Sequence, residues 1–176
     1  MSKRLSRQKN MTADPNPEAV HYREVCPEDL PAVVELSRVC SEPHRRFSAP
    51  VIEYMATQPS CRLFVADARQ ILGFVAVHKL RGQTGEIIAV DVAPEARDLD
   101  IGTTLVGHGE EWLASNGARA IFLEVDACNE AAKGLYLKLG YVPREEFQED
   151  GSVRHLMEKR IGIGVGDPRL HIRRRS

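Results

Sequence analysis

Long apolar runs, an excess of charge of one sign and closely spaced cysteine pairs are all missing from this chain of 176 residues. Its longest hydrophobic stretches, such as 71–78, fall well short of the roughly 20 apolar residues that a membrane helix needs. The polar N-terminus carries no signal-peptide core, so a cytoplasmic protein without a membrane partner is expected. With 24 Lys and Arg against 25 Asp and Glu, the formal charge of -1 supplies no global attraction to nucleic acid. Cys26, Cys40, Cys61 and Cys128 show no CxxC spacing, so neither a zinc site nor a redox pair is indicated. Reduced, mostly buried thiols and no metal are the expectation.

What is present is the composition of an ordinary globular domain, 43% hydrophobic and 28% charged, and the length suits one domain rather than two. Residues 1–19 and 162–176 lack hydrophobic periodicity and carry basic clusters, which reads as flexible basic ends around a folded domain at 20–161. Inside it, 20–25 alternates as a strand, and Leu30, Val33, Val34 and Ser37 give helical spacing over 29–40. A second helix is predicted at 49–57. Strands at 62–66 and 71–80 form a hairpin, and a turn at 81–85 leads to a third strand at 86–92. Helical spacing returns through Ile101, Leu105, Val106, Trp112 and Leu113 until Asn116-Gly117, followed by a strand at 121–125. Asn129 caps a last helix closed by Gly140, and two strands flank Asp150-Gly151. This order predicts an α/β (α+β) fold: a mixed, mostly antiparallel sheet of about seven strands with about four helices on it.

Two segments carry chemistry. The first runs from Val92-Ala93-Pro94 through Arg97-Asp98-Leu99-Asp100-Ile101-Gly102, a strand passing through a turn into a helix. Such a junction leaves backbone N–H groups unpaired and directed outward, which suits phosphate oxygens. The second is Leu123-Glu124-Val125, then Asn129, Ala132, Leu135-Tyr136 and Leu139-Gly140-Tyr141. Read alone, Gly102 also serves helix packing, Tyr136 the core and Glu124 a solvated strand face.

Together the two segments resemble the acetyl-coenzyme A binding core of the GNAT acyltransferase superfamily. The first follows its Arg/Gln-x-x-Gly-x-Gly/Ala signature except at position 100, and the second matches its L-E-V-x-x-x-N-x-x-A-x-x-L-Y-x-x-x-G-F/Y pattern. The core motif is most similar to the branch that acetylates the N-terminal alanine of a ribosomal protein. The resemblance implies an N-acetyltransferase that moves an acetyl group from acetyl-coenzyme A, as co-substrate, directly to a primary amine on a peptide or small molecule. It assigns Arg97, Asp98, Leu99, Asp100, Ile101, Gly102 and Thr103 to the diphosphate turn and Val90, Asp91 and Val92 to the strand that holds the pantetheine. Asn129 and Tyr136 complete the implied cofactor contacts. Tyr136 matches the proton donor, Glu124 the base of the alanine branch with its twelve-residue spacing to Tyr136, and Glu86 the base of other branches. Asp91 is a third candidate base. His44-Arg45-Arg46 falls where the family shapes its acceptor site, and a homodimer is a further option.

One position departs from the pattern. Asp100 replaces the first signature glycine, and with Glu95 and Asp98 it puts carboxylates around a diphosphate site. Asp tolerates left-handed backbone better than most residues, so the turn can persist. The rival reading is a domain of the same fold that binds coenzyme A weakly or not at all and serves regulation or interaction. Cys128 lies near the site, but a nucleophilic thiol wants a histidine beside it. Gly162-x-Gly164-x-Gly166 has no following helix and reads as linker.

Overall fold

A computed structural model describes residues 19–41 and 46–162. The predicted basic ends, the Gly164-x-Gly166 stretch and His44-Arg45 lie outside the described residues. The strands are β1 (His21–Glu24), β2 (Cys61–Asp67), β3 (Ile71–Lys79), β4 (Thr84–Val92), β5 (Ala120–Asp126), β6 (Val142–Glu149) and β7 (Ser152–Arg160). The helices are α1 (Leu30–Cys40), α2 (Ala49–Thr57), α3 (Ile101–Ser115) and α4 (Glu130–Lys138). One seven-stranded sheet runs β1-β2-β3-β4-β5-β7-β6, antiparallel at each pairing except β4 with β5, which is parallel. The class and element order follow the sequence reading. Its boundaries move slightly: a 3-10 turn at Pro27–Asp29 precedes α1, and β4 starts at Thr84 because Leu80 N–H already bonds Thr84 O.

Strand alternation separates the two faces of β2. Phe64 stacks on His108 of α3, with Tyr22 stacked on the same ring, and the Arg62 guanidinium lies over Trp112. Cys61, Leu63 and Val65 therefore turn to the opposite face, where α1 and α2 bring Val33, Leu36, Ile52 and Met55 into the core. Gly109 lets α3 lie directly on β3, since a Cβ there would come within 2.7 Å of Val77 Cγ1. The turn signals behave as expected: Gly117, Gly140, Asp150 and Gly151 all have left-handed φ. The thiols are all free, but only Cys61 is buried. Cys26 and Cys40 are half-buried and Cys128 is exposed, which corrects the expectation of mostly buried cysteines.

Near β1, Arg23 grips two carboxylates from different elements. It donates to Asp29 Oδ2 at 2.6 Å and Oδ1 at 2.9 Å, and to Asp67 Oδ2 at 2.8 Å. Asp29 is buried, and its hydrogen bonds from Arg23 hold its carboxyl well below the usual range. The network ties the start of α1 to the edge of the sheet.

Candidate active site

Pairing between β4 and β5 runs from Thr84 and Ala120 to Ile87 and Leu123, and stops there. Further along, β4 remains bonded only to β3 and β5 only to β7, so the sheet opens between them. The cause lies in β4: its register with β3 slips between Ala89, opposite Ala76, and Ile87, opposite Val77, leaving Ile88 as an inserted residue. Such a bulge bends a strand and increases its twist. A cavity of about 750 Å³ occupies the opening. It is walled by β4 residues 86–91, by 124–126 of β5, by Asn129, Ala132 and Tyr136 around α4, and by Glu149, Asp150 and Arg154 of the β6–β7 hairpin. Cys40 at the end of α1 contributes, with Ser41, Arg46 and Phe47 from the connection after it.

Asp91 is the most perturbed carboxylate of this cavity. Burial pushes its carboxyl up to about 6, against the lowering effects of the Ser41 hydroxyl, 3.4 Å from Oδ1, and of the Arg97 charge. Its Oδ2 is buried with no hydrogen-bond partner among the described residues. Tyr136, only 7% exposed, lines the same cavity, and burial followed by the Asp91 charge drives its phenol far above the usual range. A base with a raised pKa beside a phenol held neutral is the pairing that proton transfer in both directions requires.

The other candidate bases are engaged elsewhere. Glu124 is exposed and accepts an ion pair from Arg154 Nη1 at 2.7 Å. Glu86 lines the cavity but is 39% exposed at its side chain, with His78 Nδ1 3.8 Å away. Cys128 also lines the cavity, but among the described residues no histidine does, so the nucleophilic arrangement is not assembled. Cys40 turns its thiol to Val92 O at 3.3 Å, and burial raises its pKa.

At the signature turn the left-handed positions are Asp98, φ 63°, and Asp100, φ 56°. The conformational freedom of glycine is therefore wanted at 100, while Gly102 sits inside α3 with room for a Cβ 3.5 Å from Leu135. Asp98, Leu99 and Asp100 are exposed, and the Asp100 side chain makes no cap hydrogen bond. The first backbone bond of α3 runs from Thr104 N–H to Asp100 O, so the N–H groups of Ile101, Gly102 and Thr103 have no backbone partner among the described residues. Arg97 acts on Asp91 and Cys40, and no ion pair joins it to Asp98 or Asp100 among the described residues. Asn129 caps α4, its Oδ1 accepting from Ala132 N–H at 3.0 Å, while its residue lines the cavity. Val90, Asp91 and Val92 lie on the part of β4 whose outer edge is unpaired.

Arg154, Glu149 and Ser41 were not singled out in the sequence. No spacing signals them, because Arg154 lies 30 positions from Glu124 and reaches it only through the β5–β7 pairing. Asp91 did carry a signal: one acid within the Ile87-Ile88-Ala89-Val90 and Val92-Ala93 run.

A strand that opens onto a cavity and a helix N-terminus beyond it are the geometry that the signature turn implied, while the acid beside Tyr136 is Asp91 rather than Glu124 or Glu86. A sequence model of the acetyltransferase (GNAT) family matches residues 30–141, and the chain belongs to that family. Over 78 residues it is 44% identical to mycothiol acetyltransferase of Paenarthrobacter aurescens (strain TC1), a match covering 42% of this chain and 24% of that protein. The chain thus spans about a quarter of the length of the curated relatives it matches. The ribosomal-protein-alanine N-acetyltransferase of Brucella melitensis shares its fold with a TM-score of 0.69 at 18% identity, over 80% of this chain and 99% of the other. Arabidopsis thaliana NAA60 in complex with acetyl-CoA superposes with a TM-score of 0.71 at 16% identity, over 81% and 99%.

Proposed function

We propose that this protein is an N-acetyltransferase in which Asp91 is the base and Tyr136 the acid for acetyl transfer from acetyl-coenzyme A to a primary amine. The observation that carries the reading is the pairing of a buried, unpartnered Asp91 Oδ2 with Tyr136 in one cavity at the sheet opening. The residues present fit the co-substrate. The N–H groups of Ile101, Gly102 and Thr103 suit its diphosphate, and the unpaired edge at Val90, Asp91 and Val92 suits amide groups of its arm. Asn129, with Oδ1 committed to its cap, has its amide N–H groups to offer. Asp98 and Asp100 point into solvent, where salt screens their repulsion. When bound, acetyl-coenzyme A supplies an activated acyl thioester.

The protein's own groups then handle two protons. Asp91 Oδ2 accepts one from the incoming ammonium, which frees the nitrogen lone pair for attack on the acyl carbon. Tyr136 Oη gives its proton to the departing sulfur and is restored by the second proton lost from the attacking nitrogen, so an amide and a thiol leave while the Asp91 proton returns to solvent. Glu124, which matches the base of the alanine branch, and Glu86 instead serve the charge of the acceptor side. The compartment proposed is the cytoplasm; among the described residues no helix is long and apolar enough to cross a membrane.

Calorimetric titration with acetyl-coenzyme A, followed by thiol-release assays over a panel of amines and N-terminal peptides, tests this reading. Saturable binding with amine-dependent thiol release supports it. Absence of binding at millimolar ligand favours the rival non-catalytic module and implicates Asp98 and Asp100.

A further inference from the structure

The charges lining the cavity exceed what one transferred amine requires. Six carboxylates, Glu86, Asp91, Glu124, Asp126, Glu149 and Asp150, line it with two arginines, Arg46 and Arg154, and Asp126 already has a partner of its own. Among the described residues no three of the metal-ligating side chains converge on one point, so these acids do not form a cation cage. Nor is the cavity satisfied from within. Tyr136 is 93% buried by its 7% exposure, yet its hydroxyl has no hydrogen-bond partner among the described residues. Asp91 Oδ2 is equally unpaired.

The hairpin side is held in place by Arg154. Its Nη1 pairs with Glu124 Oε2 at 2.7 Å and Glu149 Oε2 at 2.5 Å, and its guanidinium lies over the Phe147 ring. One arginine neutralises about one of these acids, and Asp150 stands beside Glu149 at the tip. A monoamine bound at Asp91 would leave the hairpin charge without a counterpart.

We infer, resting on the acetyl-transfer reading, that the acceptor is a short amine with at least two cationic nitrogens, one presented to Asp91 and another held at the Glu149–Asp150 hairpin tip. Size favours a small molecule: 750 Å³ lies in the range of small-ligand pockets and must also receive the acyl end of the co-substrate.

The test is calorimetric binding of 1,4-diaminobutane, n-butylamine and a lysine-containing hexapeptide to the full chain at low salt, with wild type and Asp150→Asn. Asp150 has φ 49°, a left-handed conformation that Asn adopts as readily, so the variant keeps the hairpin. The diamine is expected to bind about tenfold tighter than butylamine. That ratio should fall about threefold in Asp150→Asn and largely vanish in about 0.5 M salt. Equal affinity for the two amines, an unchanged ratio in the variant, or a peptide binding tighter than the diamine would overturn the inference. Acetyl transfer separates the two proposals. Selective diamine binding without transfer to any amine sinks the catalytic reading and, with it, the acceptor role, leaving only a dication-binding site, whereas equally efficient transfer to both amines sinks this inference alone.

Discussion

Tyr136 and Tyr141 meet edge to face, their ring centroids 5.7 Å apart with an interplanar angle of 67°. Tyr141 is fully enclosed, so it forms a fixed backing for the ring that carries the proposed acid. Tyr136→Phe keeps that packing and removes only the hydroxyl. Its kcat should fall about a hundredfold or more, with coenzyme A affinity changed by less than about threefold. Steady-state kinetics paired with calorimetry reads both. An unchanged kcat would remove Tyr136 from the proton path.

Asp91 sets function against stability. Its carboxyl is pushed up to about 6 when folded, whereas an unfolded aspartate titrates near about 3.9. Between those values the native state holds more protons than the unfolded one, so this group makes stability fall as pH rises from about 4 to about 6. Asp91→Asn should therefore gain on the order of 2 kcal/mol at pH 7.5, with the gain fading near pH 4. The same variant should lose the acid limb of kcat/KM near pH 6 together with most of its turnover. Urea unfolding and a pH–rate profile check the two halves.

Asp29 has the opposite sign. Its carboxyl is depressed by Arg23, so its contribution is present above the unfolded value and is lost as pH falls below it. Asp29→Ala strips the Arg23 fork and the bond from Cys26 N–H, at a cost of about 3 kcal/mol. Denaturant unfolding at pH 7 measures it, and the gap from wild type should narrow in acid.

At the signature turn, Asp100→Gly relieves a left-handed residue and removes a charge. The fold should gain up to about 1 kcal/mol, and acetyl-coenzyme A should bind a few-fold tighter at low salt, with less gain at high salt. Asp100→Ala should instead lose about 1 kcal/mol, because it keeps the strain without the tolerance of Asp. Thermal unfolding and calorimetry of the pair distinguish charge from backbone.

Two helical glycines make opposite predictions. A Cβ at Gly109 collides with Val77 at 2.7 Å, so Gly109→Ala should destabilise by about 1–3 kcal/mol. Gly134 in α4 has nothing within 4 Å, and Gly134→Ala should stabilise by about 0.5–1 kcal/mol. A single thermal scan of each decides.

Period and punctuation made the elements legible: Leu105, Val106 and Leu113 share the buried arc of α3, and Asp150-Gly151 turns where it was expected. The signature turn was readable because left-handed geometry leaves a mark in residue type, even with Asp in place of glycine. The choice of base was not. Glu124 and Asp91 are both acids on strands, and what separates them is an arginine 30 positions away for one and burial against α1 for the other. Neither relation has a local sequence period. The Arg23 fork was hidden for the same reason, since Asp67 lies 44 positions along the chain and becomes a neighbour only through the pairing of β1 with β2.

The inserted Ile88 also bears on how the sheet is protected from other chains. Past Ile87 the chain carries a ready-made hydrogen-bonding template in its interior, the kind of strand border that recruits foreign backbone and seeds misassembly. Here the template is recessed between acidic walls, so an extended peptide from another copy would have to strip water from Asp91, Glu124 and Glu149 to reach it. The same carboxylates that invite a small cation thus keep a half-unzipped sheet from being zipped by the wrong chain.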